Sequence, residues 1–332
     1  MPANPTRHAV LRKHSRVLVE CCAAVKPKEK VLFIFDGSTR IIEPYLREAA
    51  QRAKAHIMIE HMHASIMHCI EPPPNVIRAM ERADVILAAT KYSIAHTDAR
   101  FRATKRGARY LSLPQYGIEQ LSRSSLDVDF LALADTGRRI KEILDKGNSA
   151  RVTTPKGTDL EVFFKGRVAN WAPGFCHEPG MLGSPPDIET NIAPVETQSK
   201  GVLVVDGSIP CESIGLLKHP VRLTVARGNI CDISTNREGH ILKTLLEAVP
   251  DKKRTVLAEF GIGLNPKARL CGLMLEDEGC LGTVHFGFGS NATIGGKNKT
   301  AFHLDMVIRR PTVEVDGVRI MEKGSLFLAP HI

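Results

Sequence analysis

The chain has 332 residues, 43% of them hydrophobic, which suits about two packed domains at roughly 150 residues each and excludes extended disorder. Aromatic residues make up only 5%, which argues against a nucleic-acid surface built on stacked rings. The net charge of +9 and pI of about 9.2 favour anionic partners only weakly, because the basic residues are scattered. The densest basic run, "ARFRATKRGAR" at 99–109, reads as the solvated face of an amphipathic helix, and no nucleic-acid partner is expected.

The first 22 residues are broken by charges and do not form a secretory signal. From residue 30 the chain alternates strand and helix signals. "KVLFIF" (30–35) is a continuously apolar run, as in a buried parallel strand. Residues 36–54 follow as a helix, with Ser38 or Thr39 at its start and Ile41, Ile42, Tyr45, Leu46 and Ala49 on one face. Strands are predicted at 56–62, 84–90 and 109–114, with helices at 72–83 and 96–108 between them. This rhythm predicts a parallel sheet covered by helices, an α/β domain over residues 1–148. A last helix at 127–147 leads out of it.

Beyond residue 149 the texture becomes β-rich. A hairpin is predicted around "PKG" in 149–164, and strand-like segments recur at 201–209, 221–234, 254–265, 282–291, 302–310 and 312–321. Only 237–250 and 266–278 read as helical. A long loop dense in glycine and proline (170–194) lies between the two textures, and loops of that length are usually functional. The fold class expected is an α/β domain followed by a β-rich, barrel-like domain over 149–332 that holds the chemistry. The eight cysteines form no CxxC pair and no disulfide framework. No apolar run reaches the ~20 residues of a membrane span, so a cytoplasmic protein is expected.

Several β-rich segments carry one ionisable residue among apolar or glycine neighbours. Glu259 sits in "VLAEFGIG", His285 in "GTVHFGFG", and His303 and Asp305 in "FHLD". Glu189 sits in the loop segment "PPDIETN". In a strand, residues two apart share a face, so His303 and Asp305 point the same way while Leu304 and Met306 face the core. A mid-strand charge costs stability unless it is exposed, paired or bound to a metal. Taken singly, each is equally well an exposed glutamate or a hydrogen-bonded core histidine. Their concentration beside Gly287, Gly289, Gly295 and Gly296 points to a metal site, since carboxylates and imidazoles from separate strands are common ligands of Zn²⁺, Mn²⁺ and Fe²⁺.

Weaker candidates accompany them. His61, His63 and His68 follow a strand end and are expected to be solvated or to cap a helix. "FDGSTR" follows the first strand but lacks the G-x-G-x-x-G of a dinucleotide site. His177 and Glu178 in "CHEPG" are candidates for a general base or substrate contact. Lys297 and Lys299, with Arg309 and Arg310, are candidates for facing an anionic substrate.

Residues 185–325 resemble the aminopeptidase T family of metallopeptidases. The resemblance rests on "ETNIAPVE", "GVLVVDGSI", "EFGIGLNP", "GTVHFGFG" and "GGKNKTAFHLD". It implies two divalent ions (Zn, Mn or Co) held by Glu189, Glu259, His285, His303 and Asp305, with Glu189 and Glu259 catalytic. It also implies hydrolysis of a C–N bond in a short peptide or small amide. A homo-oligomer, a dimer or higher, is expected. The tail "GGKNKTAFHLDMVIRR" is also similar to the 2,5-dihydroxypyridine 5,6-dioxygenases, which implies a single Fe(II) and ring cleavage. That branch carries a histidine where this chain has Glu259 and a serine near Gly287. The peptidases carry a tyrosine shortly after the first histidine, where "HFGFGSNATIGG" has none.

Overall fold

Every side chain from Val31 to Phe35 is fully buried, as continuous apolar composition requires of a strand covered on both faces. In the computed structural model, which describes residues 5–328, this strand lies inside a five-stranded sheet. The spatial order is His56–His61, Lys30–Phe35, Val85–Ala89, Arg109–Ser112 and Leu182–Gly183, all paired parallel. The helices Glu43–Arg52, Pro74–Met80 and Asp98–Lys105 connect successive strands, the last capped by the Thr97 side chain accepting from the Arg100 amide. Leu32, Ile34, Val76, Met80, Ile86 and Tyr110 form one core cluster between sheet and helices. The expected βα alternation is therefore present. An N-terminal helix, Pro5–Arg16, continued by a π-helical segment at Val17–Cys22, was not anticipated from the charge-broken sequence.

The β-rich region consists of two antiparallel sheets. One has eight strands and runs, in spatial order, from Asn229–Ile233 through Val221–Ala226, Lys200–Val205, Asp159–Phe163, Ser149–Thr153 and Thr312–Val315 to Val318–Glu322 and Ser325–Leu326. The other has seven: Gly215–Leu216, Ser208–Ile209, His303–Arg309, Thr283–Gly289, Leu257–Gly263, Glu189–Ile192 and Asn170–Ala172. Two segments expected as single strands are hairpins. Arg227-Gly228 and Asp316-Gly317 each place two residues at positive φ, the geometry of a tight turn matched to strand twist. Only Met274–Glu278 of the expected helix 266–278 is helical.

The chain divides into two compact units, but not at 148/149. Residues through Phe130 join Pro173–Pro186, while Leu131–Ala172 join Asp187 onward. Hydrogen bonds explain both exchanges. The helix Phe130–Lys146 accepts from Trp171 Nε1 at the Ala134 carbonyl (2.9 Å) and from Thr190 Oγ1 at the Gly137 carbonyl (2.8 Å), tying it to the seven-stranded sheet. The Gly/Pro-rich segment returns to the α/β unit as the strand Leu182–Gly183, and the Cys176 amide donates to the Cys22 carbonyl at 2.8 Å. Among the described residues, no helix is long and apolar enough to cross a membrane.

One face of the seven-stranded sheet is a hydrophobic core. Phe260, Phe286 and Met306 are cross-strand neighbours and fully buried. Phe260 stacks on Phe286 at 5.7 Å and on Phe164 at 6.5 Å, the latter following a strand of the eight-stranded sheet. Replacing Phe286 by Ala is expected to lower unfolding stability by about 3–5 kcal/mol. A urea titration should show a lower midpoint with an unchanged slope.

Candidate metal centre

The opposite face of that sheet carries the charges. Residues directly across an antiparallel pair share a face, so the register places them in rows. Glu259, Gly287 and Asp305 form one row across three strands. His285 lies opposite Gly261, Glu189 opposite Gly263, and His303 opposite Gly289. Each of the five ionisable residues is thus paired across the sheet with a glycine. A Cβ at Gly261 would lie 2.0 Å from His285 Nε2, and one at Gly287 would lie 2.7 Å from His303 Cε1 and 2.9 Å from Asp305 Oδ1. The imidazoles and carboxylates occupy the volume that side chains at these positions would fill. A register shift between Leu257 and Glu259 marks a bulge at the same row, a common device for re-aiming a side chain.

The five side chains converge into two triads that share Glu259. Glu189, Glu259 and His285 form one; Glu259, His303 and Asp305 form the other. His285 Nε2 lies 3.0 Å from Glu189 Oε2 and 3.7 Å from Glu259 Oε1. His303 Nε2 lies 3.3 Å from Glu259 Oε2 and 3.1 Å from Asp305 Oδ2. Glu259 therefore turns one oxygen to each histidine.

Glu189 Oε2 and Asp305 Oδ1 are buried and have no hydrogen-bond partner. The 3.0 Å approach to His285 is not aligned as a hydrogen bond, and the ligand atoms of each triad lie within 4.8 Å of one another. Some of the remaining atoms are anchored, whereas His285 Nδ1 is buried with no hydrogen-bond partner. Asn191 Nδ2 donates to Glu189 Oε1 at 2.6 Å, and Asn170 Nδ2 donates to Asn191 Oδ1 at 3.0 Å. His303 Nδ1 donates to the Ser290 carbonyl at 2.8 Å, which leaves Nε2 facing the acids. A donor set of three carboxylates and two imidazoles, with orphaned buried oxygens, fits a divalent metal cofactor.

The local field is strongly negative. Burial opposes charge on both imidazoles, but nearby carboxylates outweigh it: Glu189 raises His285 well above its usual value, and Asp305 does the same for His303. Burial would raise the Glu259 carboxyl, but contacts with His285 and His303 hold it well below the usual carboxylate range.

Two further acids belong to this environment and were not singled out in the sequence. Burial, reinforced by Glu189, pushes the Asp187 carboxyl well up; burial, reinforced by Asp305, does so for Glu278. Asp187 Oδ1 and Glu278 Oε1 are buried without hydrogen-bond partners. The signal for Asp187 was available, since it stands two residues before Glu189 in "PPDIETN". Glu278 was hidden in the acidic run "EDEG", which reads as a solvated helix end.

The other candidates have contacts of their own. His177 and Glu178 belong to the α/β unit, where His177 Nε2 donates to the Cys21 carbonyl at 2.7 Å and its ring stacks on Phe175. The Lys297 amide donates to Glu196 Oε1 at 2.6 Å, and Arg167 also pairs with Glu196, so this loop is tied to residue 196. Arg309 shares the strand and face of Asp305, four residues further on, or about 13 Å at the rise of an extended strand. His61 pairs with Glu43 at 2.7 Å and His68 Nδ1 accepts from the Ser93 amide, in keeping with ordinary local roles.

A family model described as 2,5-dihydroxypyridine 5,6-dioxygenase matches residues 13–328. The 2,5-dihydroxypyridine 5,6-dioxygenase of Pseudomonas putida KT2440 is 26% identical over 267 residues, covering 76% of this chain and 73% of that protein. The solved structure of 2,5-dihydroxypyridine dioxygenase from Pseudomonas putida KT2440 is similar with a TM-score of 0.80 at 22% identity, covering 99% of both chains. Wild-type AmpT from Thermus thermophilus is similar with a TM-score of 0.72 at 16% identity, covering 97% of this chain and 100% of that one. At these identities the structural likenesses establish the fold, an α/β unit with an antiparallel sheet-rich unit, and leave the reaction to the site itself. The family match extends through both units, and the chain belongs to the 2,5-dihydroxypyridine 5,6-dioxygenase (NicX) family of enzymes.

Proposed function

We propose that the chain is a two-metal hydrolase acting on a C–N bond of a small amide or short peptide. The observation that carries this reading is the shared Glu259, whose two oxygens face separate triads, each with its own histidine and its own second carboxylate. A mononuclear iron face needs two histidines and one carboxylate around one point. Here the two histidines fall in different triads. In this reading Glu189, Glu259 and His285 would hold one ion, and Glu259, His303 and Asp305 would hold the other. Bound divalent ions supply Lewis acidity and an activated water at neutral pH. The chain's own contribution is orientation. Asn191 holds Glu189 by one oxygen, and the Ser290 carbonyl fixes the tautomer of His303. The second reading is an Fe(II) ring-cleaving dioxygenase using His285, His303 and Asp305, and membership of the family favours it.

Metal analysis of protein purified without chelator and without oxygen separates the two. Two divalent ions per chain and cleavage of amide substrates are expected. One iron per chain with O₂ consumption on a dihydroxylated pyridine ring would overturn the hydrolase reading. Glu259→His removes one negative charge from the shared position. It is expected to reduce occupancy from about two ions to about one, because two cations roughly 3.5–4 Å apart need carboxylate charge between them. His303→Ala should lose metal and activity while its circular dichroism matches wild type. A His303→Ala protein that keeps its full metal load would remove this residue from the ligand set.

Gly261→Ala places a methyl group where the His285 ring lies. Metal affinity is expected to fall at least as far as loss of an orienting partner does, about 10–100-fold. The competitive-chelator titration that measures it should also show a pH dependence. Ligation needs neutral imidazoles, and both histidines hold their protons above the usual histidine range in the field of the carboxylates. Affinity should therefore be full above those raised values and fall as the pH drops through them, with protons released on binding.

A further inference from the structure

The α/β unit contains a second concentration of charge, of opposite sign, that the chemistry above does not use. A cavity of about 190 Å³ lies between the helices Pro5–Arg16 and Glu43–Arg52, lined by Arg12, Arg16, Tyr45, Glu48, Ala49 and Arg52. Arg12 and Arg16 are one helical turn apart on the first helix. Tyr45 and Ala49, and Glu48 and Arg52, are spaced likewise on the second. Two helix faces thus bring three guanidinium groups and one carboxylate to the same space.

The carboxylate is already engaged, since Glu48 Oε2 receives Arg12 Nε at 3.0 Å. The Tyr45 hydroxyl is also engaged, 2.6 Å from His8 Nδ1. Among the described residues, Arg16 and Arg52 make no ion pair or side-chain hydrogen bond to an acid, and the formal charge of the cavity's lining is three positive against one negative, or +2. Like charges at i and i+4, as at Arg12 and Arg16, are mildly destabilising in a helix unless something negative lies between them.

We infer that this cavity is a binding site for a small dianion, inorganic phosphate or a short phosphate monoester. Guanidinium groups suit it because their planar fork of donors matches the oxygens of a phosphate, and two unpaired forks balance a charge of −2. The volume limits the ligand. It corresponds to about six water molecules at ~30 Å³ each and falls below the ~300 Å³ at which pockets for larger organic ligands begin. A polyanionic macromolecule would need a continuous basic track. Here the three arginines line one small depression.

Isothermal titration calorimetry on the full metal-loaded chain tests the site, with methyl phosphate and inorganic phosphate as probes and sodium chloride as the ionic-strength control. Phosphate can also bind metal ions, so three proteins are compared. Wild type and His303→Ala are expected to bind one methyl phosphate per chain in the cavity with equal affinity. Arg16→Gln/Arg52→Gln, with unchanged metal content and circular dichroism, should bind at least tenfold more weakly. Affinity should fall as sodium chloride rises, because the forks are solvent-accessible. Equal affinity in wild type and the double variant would overturn the site, as would loss of all phosphate binding in His303→Ala. Cosedimentation with phosphatidic acid vesicles, without binding of methyl phosphate, would overturn the small-ligand reading.

Discussion

Five ionisable side chains share one face of a sheet, and glycine at two positions leaves the space that four of them fill: His285 at Gly261, and Glu259, His303 and Asp305 at Gly287. Glu259 and Asp305 flank Gly287, His285 crosses Gly261, and Glu189 and His303 stand opposite Gly263 and Gly289. In an ordinary sheet, directly opposed residues both carry side chains, and their Cβ atoms stand about 5 Å apart. Those side chains would stand between imidazole and carboxylate and keep them from meeting. Removing them lets charged groups lie across the strand axis and converge. The cost is weaker strands, since glycine has no side chain to pack and loses most backbone entropy on folding. The opposite face offsets that cost with the Phe164, Phe260 and Phe286 stack and the fully buried Met306.

The same arrangement creates an electrostatic problem. Three carboxylates brought together with little water repel one another strongly. The two imidazoles respond by holding protons above their usual range. A field that retains protons so firmly also attracts other cations, and a divalent ion with several donors satisfied at once competes well against a proton on a single nitrogen. The orphaned oxygens of Glu189 and Asp305 belong to this balance, as do the raised carboxyls of Asp187 and Glu278. A buried oxygen without a partner is costly in a finished protein core, whereas in a ligand shell it is a vacant donor.

Much of this was legible in the sequence because both sheet faces are written with period two. "HLDM" separates His303 and Asp305 from Leu304 and Met306, and the register confirms the split, with Asp305 opposite Gly287 and Met306 opposite Phe286. "EFGIG" and "HFGFG" alternate in the same way, aromatic or apolar residues toward the core and charge or glycine toward the site. What could not be read were features that depend on long-range partners. Glu189 was placed in a loop because proline and glycine surround it, yet Glu189–Ile192 is a strand paired on both sides. The helix Phe130–Lys146 has the pattern of any amphipathic helix, and only its bonds to Trp171 and Thr190 assign it to the second unit. The boundary at 148/149 failed for that reason.

Family membership and ligand set bear on different questions. A shared fold fixes where side chains can converge, through strand order, register and the glycine positions. It does not fix which donors stand there. Charge makes position 259 the informative one. A histidine there would leave the face with two carboxylates and three imidazoles, a set suited to one cation. A glutamate there gives three carboxylates, each oxygen of the central one turned to a different histidine. In the proposed two-ion arrangement, three negative charges offset most of the four positive charges brought by the ions, and the carboxylate between them lies where repulsion is greatest. A single divalent iron on the same face would leave one excess negative charge where two ions leave one excess positive charge. It would also have to draw His285 and His303 from separate triads to one point. The glycines at 261 and 287 oppose that movement least of all residues, so the proposed two-ion reading rests on the division of the histidines between the triads and on Glu259 between them, not on steric exclusion of one ion.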